Sequence, residues 1–153
     1  MKRWFILRLS GIYGPGRHQL LDRILAGDSA AGDEPDRPMN ILHRDDAVDA
    51  VLACLAAPAG VPSQVFNVSG DRPAGRLEMM AWLEFRFREL GLMSDPSVQP
   101  PPRESRRREV PARIVRSRRI REVTGWQPRY PDFRSGYEAI FGKRADLVPR
   151  KHG

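Results

Sequence analysis

Residues 4–17, WFILRLSGIYGPGR, join an apolar run to a glycine-rich turn. The run at residues 4–10 has the length of a strand and a single charge, which is typical of a strand covered on both faces. A helix is predicted after the turn, over residues 18–26, and Gly27 is expected to end it. A strand, a glycine turn and a helix in this order also begin a nucleotide-binding loop, so the turn has to be tested for that function.

The spacing of the three glycines argues against a phosphate-binding loop. Gly11, Gly14 and Gly16 follow the pattern G-x-x-G-x-G, whereas the dinucleotide fingerprint is G-x-G-x-x-G. Arg17 stands where the variant G-x-x-G-x-x-G would place its third glycine, and Pro15 has no amide proton to donate to a phosphate. Two other interpretations stay open, namely a structural turn without a ligand and a loop from elsewhere in a larger enzyme.

The remainder of the sequence alternates strand and helix patterns, which indicates an α/β fold. Strands are predicted at residues 39–44 and 63–70, and helices at residues 45–57, 76–90 and 117–123 and after Asp132. Three short strands make a small sheet with exposed edges, so this sheet is expected to be part of a larger one. Four helices carry apolar stripes at helical spacing, formed by Leu21, Ile24 and Leu25, by Val48, Val51, Leu52 and Leu55, by Met80, Leu83, Phe87 and Leu90, and by Phe133, Tyr137, Ile140 and Phe141.

The helix at residues 45–57 begins with paired carboxylates that invite a catalytic interpretation. Adjacent carboxylates at a helix start are more typical of capping, so Asp45 is expected to be the N-cap and Asp46 to favour the positive helix end. Cys54 is the single cysteine, which excludes an internal disulfide and fits a reducing compartment. We expect it to be a small core residue rather than a nucleophile.

The net charge of +7 comes from one segment. Residues 103–121 contain nine arginines and two glutamates, which account for the whole excess of positive charge. A nucleic-acid-binding face over the whole chain is therefore not indicated. No apolar run has the length of a membrane span, and the histidines and the cysteine are not grouped as metal ligands. We expect a soluble, cytoplasmic protein without a metal site.

Four segments in order resemble the extended short-chain dehydrogenase/reductase family, the NAD-dependent epimerases and dehydratases. LRLSGIYGPGR (residues 7–17) is similar to the segment that follows the family's sixth strand, and NILHRDDAVDAV (residues 40–51) to its His-x-Asp-Asp element. VFNVSGDRP (residues 65–73) resembles its Asn-Val strand and turn, and residues 117–140 resemble its C-terminal Gly-Trp-x-Pro-x-Tyr-Pro signature. The four segments together cover most of residues 4–141.

The resemblance implies a partial Rossmann-like sheet edge plus the small α/β substrate-binding subdomain of such an enzyme. Residues 1–142 would form the C-terminal, substrate-binding part, with a Pro/Arg-rich loop at residues 93–111 and a flexible basic tail at residues 143–153. The family's glycine-rich cofactor loop and its Tyr-x-x-x-Lys lie upstream of these segments, so the resemblance implies a missing N-terminal half as a partner. We therefore expect this chain alone to be inactive and not to bind the NAD or NADP of the parent enzyme.

The resemblance also assigns site residues. The main chain of Leu9, Ser10, Gly11, Ile12 and Tyr13 would flank the nicotinamide. A sugar or nucleotide-sugar would contact Tyr13, Arg17, Asn40, His43 and Arg44. Structural alternatives stay open for these side chains, because the arginines can simply face water, the histidine can bond neighbouring backbone, and the asparagine can support a turn.

Two other functions stay open beside this one. The chain can be a ligand-binding module of the same descent without chemistry, or a basic nucleic-acid-binding protein acting through residues 103–121. That segment can also hold a nucleotide-sugar diphosphate or be a solvated loop. Nucleic-acid binding is not favoured, because RNA-binding modules interleave aromatic residues for base stacking and this segment has none.

Overall fold

The computed structural model describes residues 3–27, 37–92 and 113–143. The predicted loop at residues 93–111 lies outside the described residues, and so does the predicted tail except for Lys143. No helix in the described part of the chain is long and apolar enough to cross a membrane.

The chain divides into two compact units. The first comprises Met1–Arg17, Asn40–Pro73 and Ile114–Gly153, and the second His18–Met39 and Ala74–Arg113. In chain order the elements are β1 (Phe5–Leu9), β2 (Gly11–Tyr13), α1 (Gln19–Leu25), β3 (Pro38–Met39), β4 (Ile41–His43), α2 (Arg44–Leu55), β5 (Gln64–Val68), β6 (Ala74–Gly75), α3 (Arg76–Glu89), α4 (Arg118–Thr124) and α5 (Phe133–Phe141).

Two pairs of parallel strands organise the first unit. Strand β1 pairs with β5, so that Leu7 lies beside Phe66, and β2 pairs with β4, so that Tyr13 lies beside His43. The chain changes partner at Ser10, whose N–H donates to the carbonyl of Val68 at 2.9 Å. The predicted strand at residues 4–10 is therefore confirmed, but β2 was missed by sequence reasoning because the glycine turn masks its pattern.

The core of the first unit lies between the strands and the two helices α2 and α4. Its helical side uses small residues of α2, namely Ala47, Ala50 and Cys54, and its strand side includes Phe66. The burial predicted for Cys54 is confirmed. The stripe of larger apolar residues on α2 instead faces outward, and it consists of Val48, Val51, Leu52 and Leu55.

One face of β1 is also uncovered among the described residues. Trp4, just before the strand, and Ile6 alternate onto this face, and each keeps 52% of its surface. The expectation that this strand is covered on both faces is therefore wrong for this structure. The cause is that α2 and α4 pack on the opposite face of the β1–β5 pair, where Phe5 and Leu7 lie against the core.

The second unit pairs β3 with β6 in antiparallel fashion and packs α1 against α3. The predicted α3 stripe is confirmed at Met80, Leu83 and Phe87, with Met79 buried beside it. The α1 stripe is shifted by one position, because Leu20 is buried together with Leu21 and Ile24 whereas Leu25 is exposed.

The sequence predicted the N-caps of α2 and α5, and the structure confirms only the second. Helix α2 begins at Arg44, and its N-cap is His43, whose Nδ1 accepts the N–H of Asp45 at 3.2 Å. The prediction of Asp45 as N-cap is therefore wrong, because the strand runs directly into the helix. Asp132 caps α5 as predicted by accepting the N–H of Ser135 at 2.9 Å, and the predicted apolar face of α5 is buried.

Candidate functional site

The glycine turn after β2 forms a closed hairpin. Gly14 and Arg17 exchange two backbone hydrogen bonds, of 3.1 and 2.9 Å, around Pro15 and Gly16. Proline followed by a glycine at φ 75° matches the residue order of a type II turn, in which that glycine must adopt a positive φ. The amides of Gly14 and Arg17 are thus used within the turn, which agrees with the sequence argument against a phosphate cradle.

Arg44 connects this hairpin to the start of α2. Its Nη1 donates to the carbonyl of Pro15 at 3.2 Å, and its Nε donates to the carboxylate of Asp45 at 3.0 Å. The Arg44 side chain is half exposed. Arg17 at the end of the hairpin is exposed. The hairpin therefore presents one arginine to solvent while a second arginine secures its base.

Aromatic rings surround His43 beneath the hairpin. The centroid of Tyr13 lies 5.3 Å from the His43 ring in an edge-on arrangement, and the centroid of Tyr130 lies 4.2 Å away. Tyr137 of α5 lies 4.9 Å from Tyr13. His43 itself is buried, with 2% of its surface exposed. We call Tyr13, His43, Tyr130 and Tyr137 the aromatic cluster.

A glycine of α5 makes room for Tyr13. A Cβ at Gly136 would collide with the Tyr13 hydroxyl and would lie 2.7 Å from Cζ of the same ring. Burial, with smaller contributions from Tyr137 and Asp46, raises the pKa of Tyr13 far above its ordinary value. Tyr13 is therefore a neutral phenol at physiological pH.

Asp46 holds the segment at residues 126–130 from beneath. Its Oδ1 accepts the N–H of Arg129 at 2.7 Å, its Oδ2 accepts the N–H of Tyr130 at 3.2 Å, and its carbonyl accepts the indole N–H of Trp126 at 3.2 Å. The residue is fully buried. Burial raises the pKa of Asp46 above its ordinary value. The hydrogen bonds from the two backbone N–H groups and the charge of Arg129 lower the pKa, but burial has the larger effect. Sequence reasoning assigned Asp46 to the helix end and missed this contact, because the partners lie some 80 residues further along the chain.

The segment that Asp46 holds also borders an open depression, whose lining includes Tyr13, Arg72 and Tyr130. The carbonyl of Pro131 accepts the N–H groups of Asp71 and Arg72, at 2.9 and 3.0 Å, and so fixes the turn after β5 at the rim. Arg72 is 77% exposed and lies 3.8 Å from the carboxylate of Asp132. Tyr13 belongs to both the depression and the aromatic cluster, so the two features share a wall.

The remaining predicted site residues have structural contacts. Asn40 accepts the N–H of Val115 through its side chain at 2.7 Å and the N–H of Gly11 through its carbonyl at 3.1 Å. Of the predicted nicotinamide contacts, Ser10 and Gly11 both use their N–H groups within the protein. The structure therefore brings Tyr13 and His43 together, joins Arg44 to the hairpin, and places Asn40 in a supporting position.

The arginines at residues 113–121 are largely engaged within the protein, while residues 103–112 lie outside the described residues. Arg118 pairs with Glu122, Arg121 pairs with Asp71 and lies over the Trp126 ring, and Arg119 donates to the Gln64 side chain at 2.7 Å. These contacts match a structural role for this part of the segment.

Curated relatives share sequence with most of the chain. A 3-diazoavenalumate denitrifying reductase from a Streptomyces species is 30% identical over 149 residues, which cover 86% of this chain and 45% of the relative. Protein YeeZ of Escherichia coli K12 is 31% identical over 127 residues, which cover 83% of this chain and 41% of YeeZ. The chain thus spans less than half the length of the curated relatives it matches. No family model matches the sequence.

Solved structures share the fold. An NAD-dependent epimerase/dehydratase from Methylobacillus flagellatus is 26% identical with a TM-score of 0.60, over 92% of this chain and 47% of that one. The UDP-glucuronic acid 4-epimerase of Bacillus cereus, solved with UDP-glucuronic acid and NAD, has a TM-score of 0.63 over 94% of this chain and 46% of that one. At 19% identity, the second likeness concerns the fold alone. The predicted fold class, a partial Rossmann-like α/β arrangement, is confirmed by these structures.

Proposed function

We propose that this chain, a member of the extended short-chain dehydrogenase/reductase family of NAD-dependent epimerases and dehydratases, is the substrate-binding portion of an NAD(P)-dependent oxidoreductase. The parent reaction would transfer a hydride between a sugar or nucleotide-sugar and the nicotinamide. The four family segments support this assignment, and so does the NAD-dependent epimerase/dehydratase with which the chain shares 26% identity and its fold.

The hairpin at residues 14–17 carries the proposal for substrate binding. Because the hairpin uses the amides of Gly14 and Arg17 internally, recognition of an anionic substrate there depends on side chains. The exposed guanidinium of Arg17 can bind two oxygens of a phosphate or carboxylate at once. The Bacillus cereus neighbour, which was solved with a UDP-sugar, supports a nucleotide-sugar as the class of ligand to test.

The experiment is calorimetric titration of this chain with UDP-glucuronic acid and, separately, with NAD. We expect weak binding of the UDP-sugar, and we expect Arg17→Gln to weaken it roughly tenfold or more, because a charged hydrogen bond contributes about 1.5–3 kcal/mol. Arg118→Gln is the matched control, since Arg118 is an exposed arginine whose partner is Glu122 on α4. Equal affinities of wild type and Arg17→Gln would refute the assignment of Arg17.

We also propose that this chain alone does not turn over substrate. Its three tyrosines are followed four residues later by Arg17, Arg134 and Phe141, so the sequence holds no Tyr-x-x-x-Lys. Family chemistry relies on a lysine to poise the tyrosine that moves the hydroxyl proton. We expect no NAD-dependent activity and no micromolar affinity for NAD, and a micromolar dissociation constant would contradict this expectation.

A further part of the enzyme is proposed to cover β1. Parallel strands are normally covered on both faces, yet Trp4 and Ile6 are half exposed on this one. Thermal unfolding of the chain, followed by circular dichroism, tests the proposal. A broad, non-cooperative transition is expected if the sheet needs that further part, whereas a sharp transition would favour an independent ligand-binding module of the same descent.

A further inference from the structure

We propose that Asp46 is a positioning residue, whose buried carboxylate fixes residues 129–131 and thereby sets Tyr130 against His43. The inference concerns how the aromatic cluster is assembled, and it does not depend on which substrate the parent enzyme uses.

The first step of the argument is the geometry of the carboxylate. Each oxygen accepts one backbone N–H, from Arg129 at 2.7 Å and from Tyr130 at 3.2 Å. Two consecutive N–H groups on two oxygens define both the distance and the orientation of that peptide unit relative to α2. Burial of a carboxylate costs free energy unless its oxygens accept hydrogen bonds. The Asp46 carboxylate therefore requires a peptide unit that presents both N–H groups to it.

The second step is the connection from this peptide unit to the candidate site. Tyr130 places its ring 4.2 Å from His43, which is three residues before Asp46 and at the start of the same helix. His43 in turn contacts Tyr13, with ring centroids 5.3 Å apart. The carboxylate and the imidazole therefore hold the backbone and the ring of the same tyrosine.

The third step concerns the turn after β5. Next to Tyr130, the Pro131 carbonyl accepts the N–H groups of Asp71 and Arg72. Loss of the Asp46 contact would therefore release two walls of the depression together, one at Tyr130 and one at Arg72. A side chain that only filled space in the core would not connect these two walls.

Asp49 is the natural control for Asp46. It lies one turn later on α2 and faces the same residue, but its carboxylate binds the guanidinium of Arg129, at 2.8 Å from Nη2, rather than the backbone. Asp49→Asn thus removes a carboxylate from the same helix and the same partner while leaving the backbone N–H groups of Arg129 and Tyr130 on Asp46.

The test is nuclear magnetic resonance of wild type, Asp46→Asn and Asp49→Asn. Asparagine keeps one acceptor oxygen and turns an NH₂ group toward the other N–H, so one hydrogen bond is lost. We expect amide exchange at Arg129 or Tyr130 to accelerate roughly tenfold or more, because a charge-assisted hydrogen bond is lost there. We also expect the His43 ring resonances to move, because the ring currents of Tyr130 change, while the β1–β5 amides stay protected.

Unchanged His43 resonances in Asp46→Asn, or the same change in Asp49→Asn, would overturn the proposal. If Asp46→Asn does not fold, the proposal is tested by a pH titration of the wild-type protein. The Asp46 carboxyl carbon is then titrated directly, which separates it from its titratable neighbours Asp45, Asp49 and His43. The amide protons of Arg129 and Tyr130 and the His43 ring must respond with the midpoint of Asp46, and a different midpoint, or no response, rejects the positioning role.

Discussion

Helix α2 has two apolar faces, and the face with the smaller side chains is the buried one. Ala47, Ala50 and Cys54 keep 7%, 0% and 4% of their surface, whereas the residues of the outer stripe keep between 44% and 73%. Asp46, Ala50 and Cys54 are spaced four residues apart, so they lie one above another on the helix. We infer that Asp46 acts as a polar anchor that sets the rotation of α2 about its axis. The small side chains on the same face let α2 approach Phe66 closely.

Removal of the anchor is expected to have the largest effect on this comparison. Asp46→Ala leaves the N–H groups of Arg129 and Tyr130 buried without an acceptor, and we expect α2 to lose about 3 kcal/mol of stability against opening. The measurement is hydrogen exchange of the α2 amides. Asp49→Ala, which removes an ion pair to the exposed Arg129 side chain, should cost below about 1 kcal/mol. Equal losses of α2 stability in the two variants would mean that the negative charge, rather than the buried hydrogen bonds of Asp46, stabilises the packing of this face.

Overpacking of the buried face is expected to come second. Ala50→Leu adds volume where no surface is exposed, between α2 and strand residues such as Phe66, and typical costs of such changes are about 1–3 kcal/mol. Val51→Leu, one residue away on the outer stripe, is the matched control and should be close to neutral. Hydrogen exchange of the β5 amides is the measurement, and a tolerated Ala50→Leu would show that α2 can rotate or move outward.

Much of this fold follows from the sequence, and the exceptions have physical causes. Strand β5, helix α3 and the Asp132 cap of α5 depend on local periodicity and local hydrogen bonds, so short windows of sequence predict them. The buried face of α2 depends on Asp46, whose partners are some 80 residues away, and periodicity alone favours the larger stripe. Strand β2 is three residues long and includes a glycine, and only pairing with β4 makes it a strand.

The candidate site divides in the same way. Tyr13, Arg17, His43 and Arg44 were found from the resemblance to family motifs, and the structure joins Tyr13 with His43 and Arg44 with the hairpin. Tyr130 was known from its motif but not as a neighbour of His43. Gly136 carries no signal of its own, because its role is the absence of a Cβ facing Tyr13, which only the packing reveals.

The pH dependence of stability sharpens the comparison of Asp46 with Asp132. Burial raises the pKa of Asp46 in the folded protein. The contribution of this shift to the free energy of unfolding is therefore fully present below the unfolded pKa, and it is lost as pH rises through the folded pKa. Hydrogen bonds from Ser135 lower the pKa of Asp132, so its contribution is present above the unfolded pKa and is lost as pH falls through the folded value.

The measurement is the difference in opening free energy between wild type and each asparagine variant, followed from about pH 3 to pH 7, a range that spans ordinary and modestly shifted carboxyl pKa values. For Asp46→Asn the difference should favour wild type most at the acid end and decline as pH rises. For Asp132→Asn it should have the opposite slope. Parallel slopes would show that the environment of the Asp46 carboxylate is not dominated by burial.

The smallest effect is expected on the outer stripe of α2. Leu52 keeps 55% of its surface, so Leu52→Lys should change the stability of the helix by less than about 0.5 kcal/mol in hydrogen exchange. Lysine and leucine have similar helix propensities, so a change in stability would not result from helix propensity. A loss comparable to that of Ala50→Leu would mean that the stripe is covered in solution, and the two faces of α2 would then no longer differ.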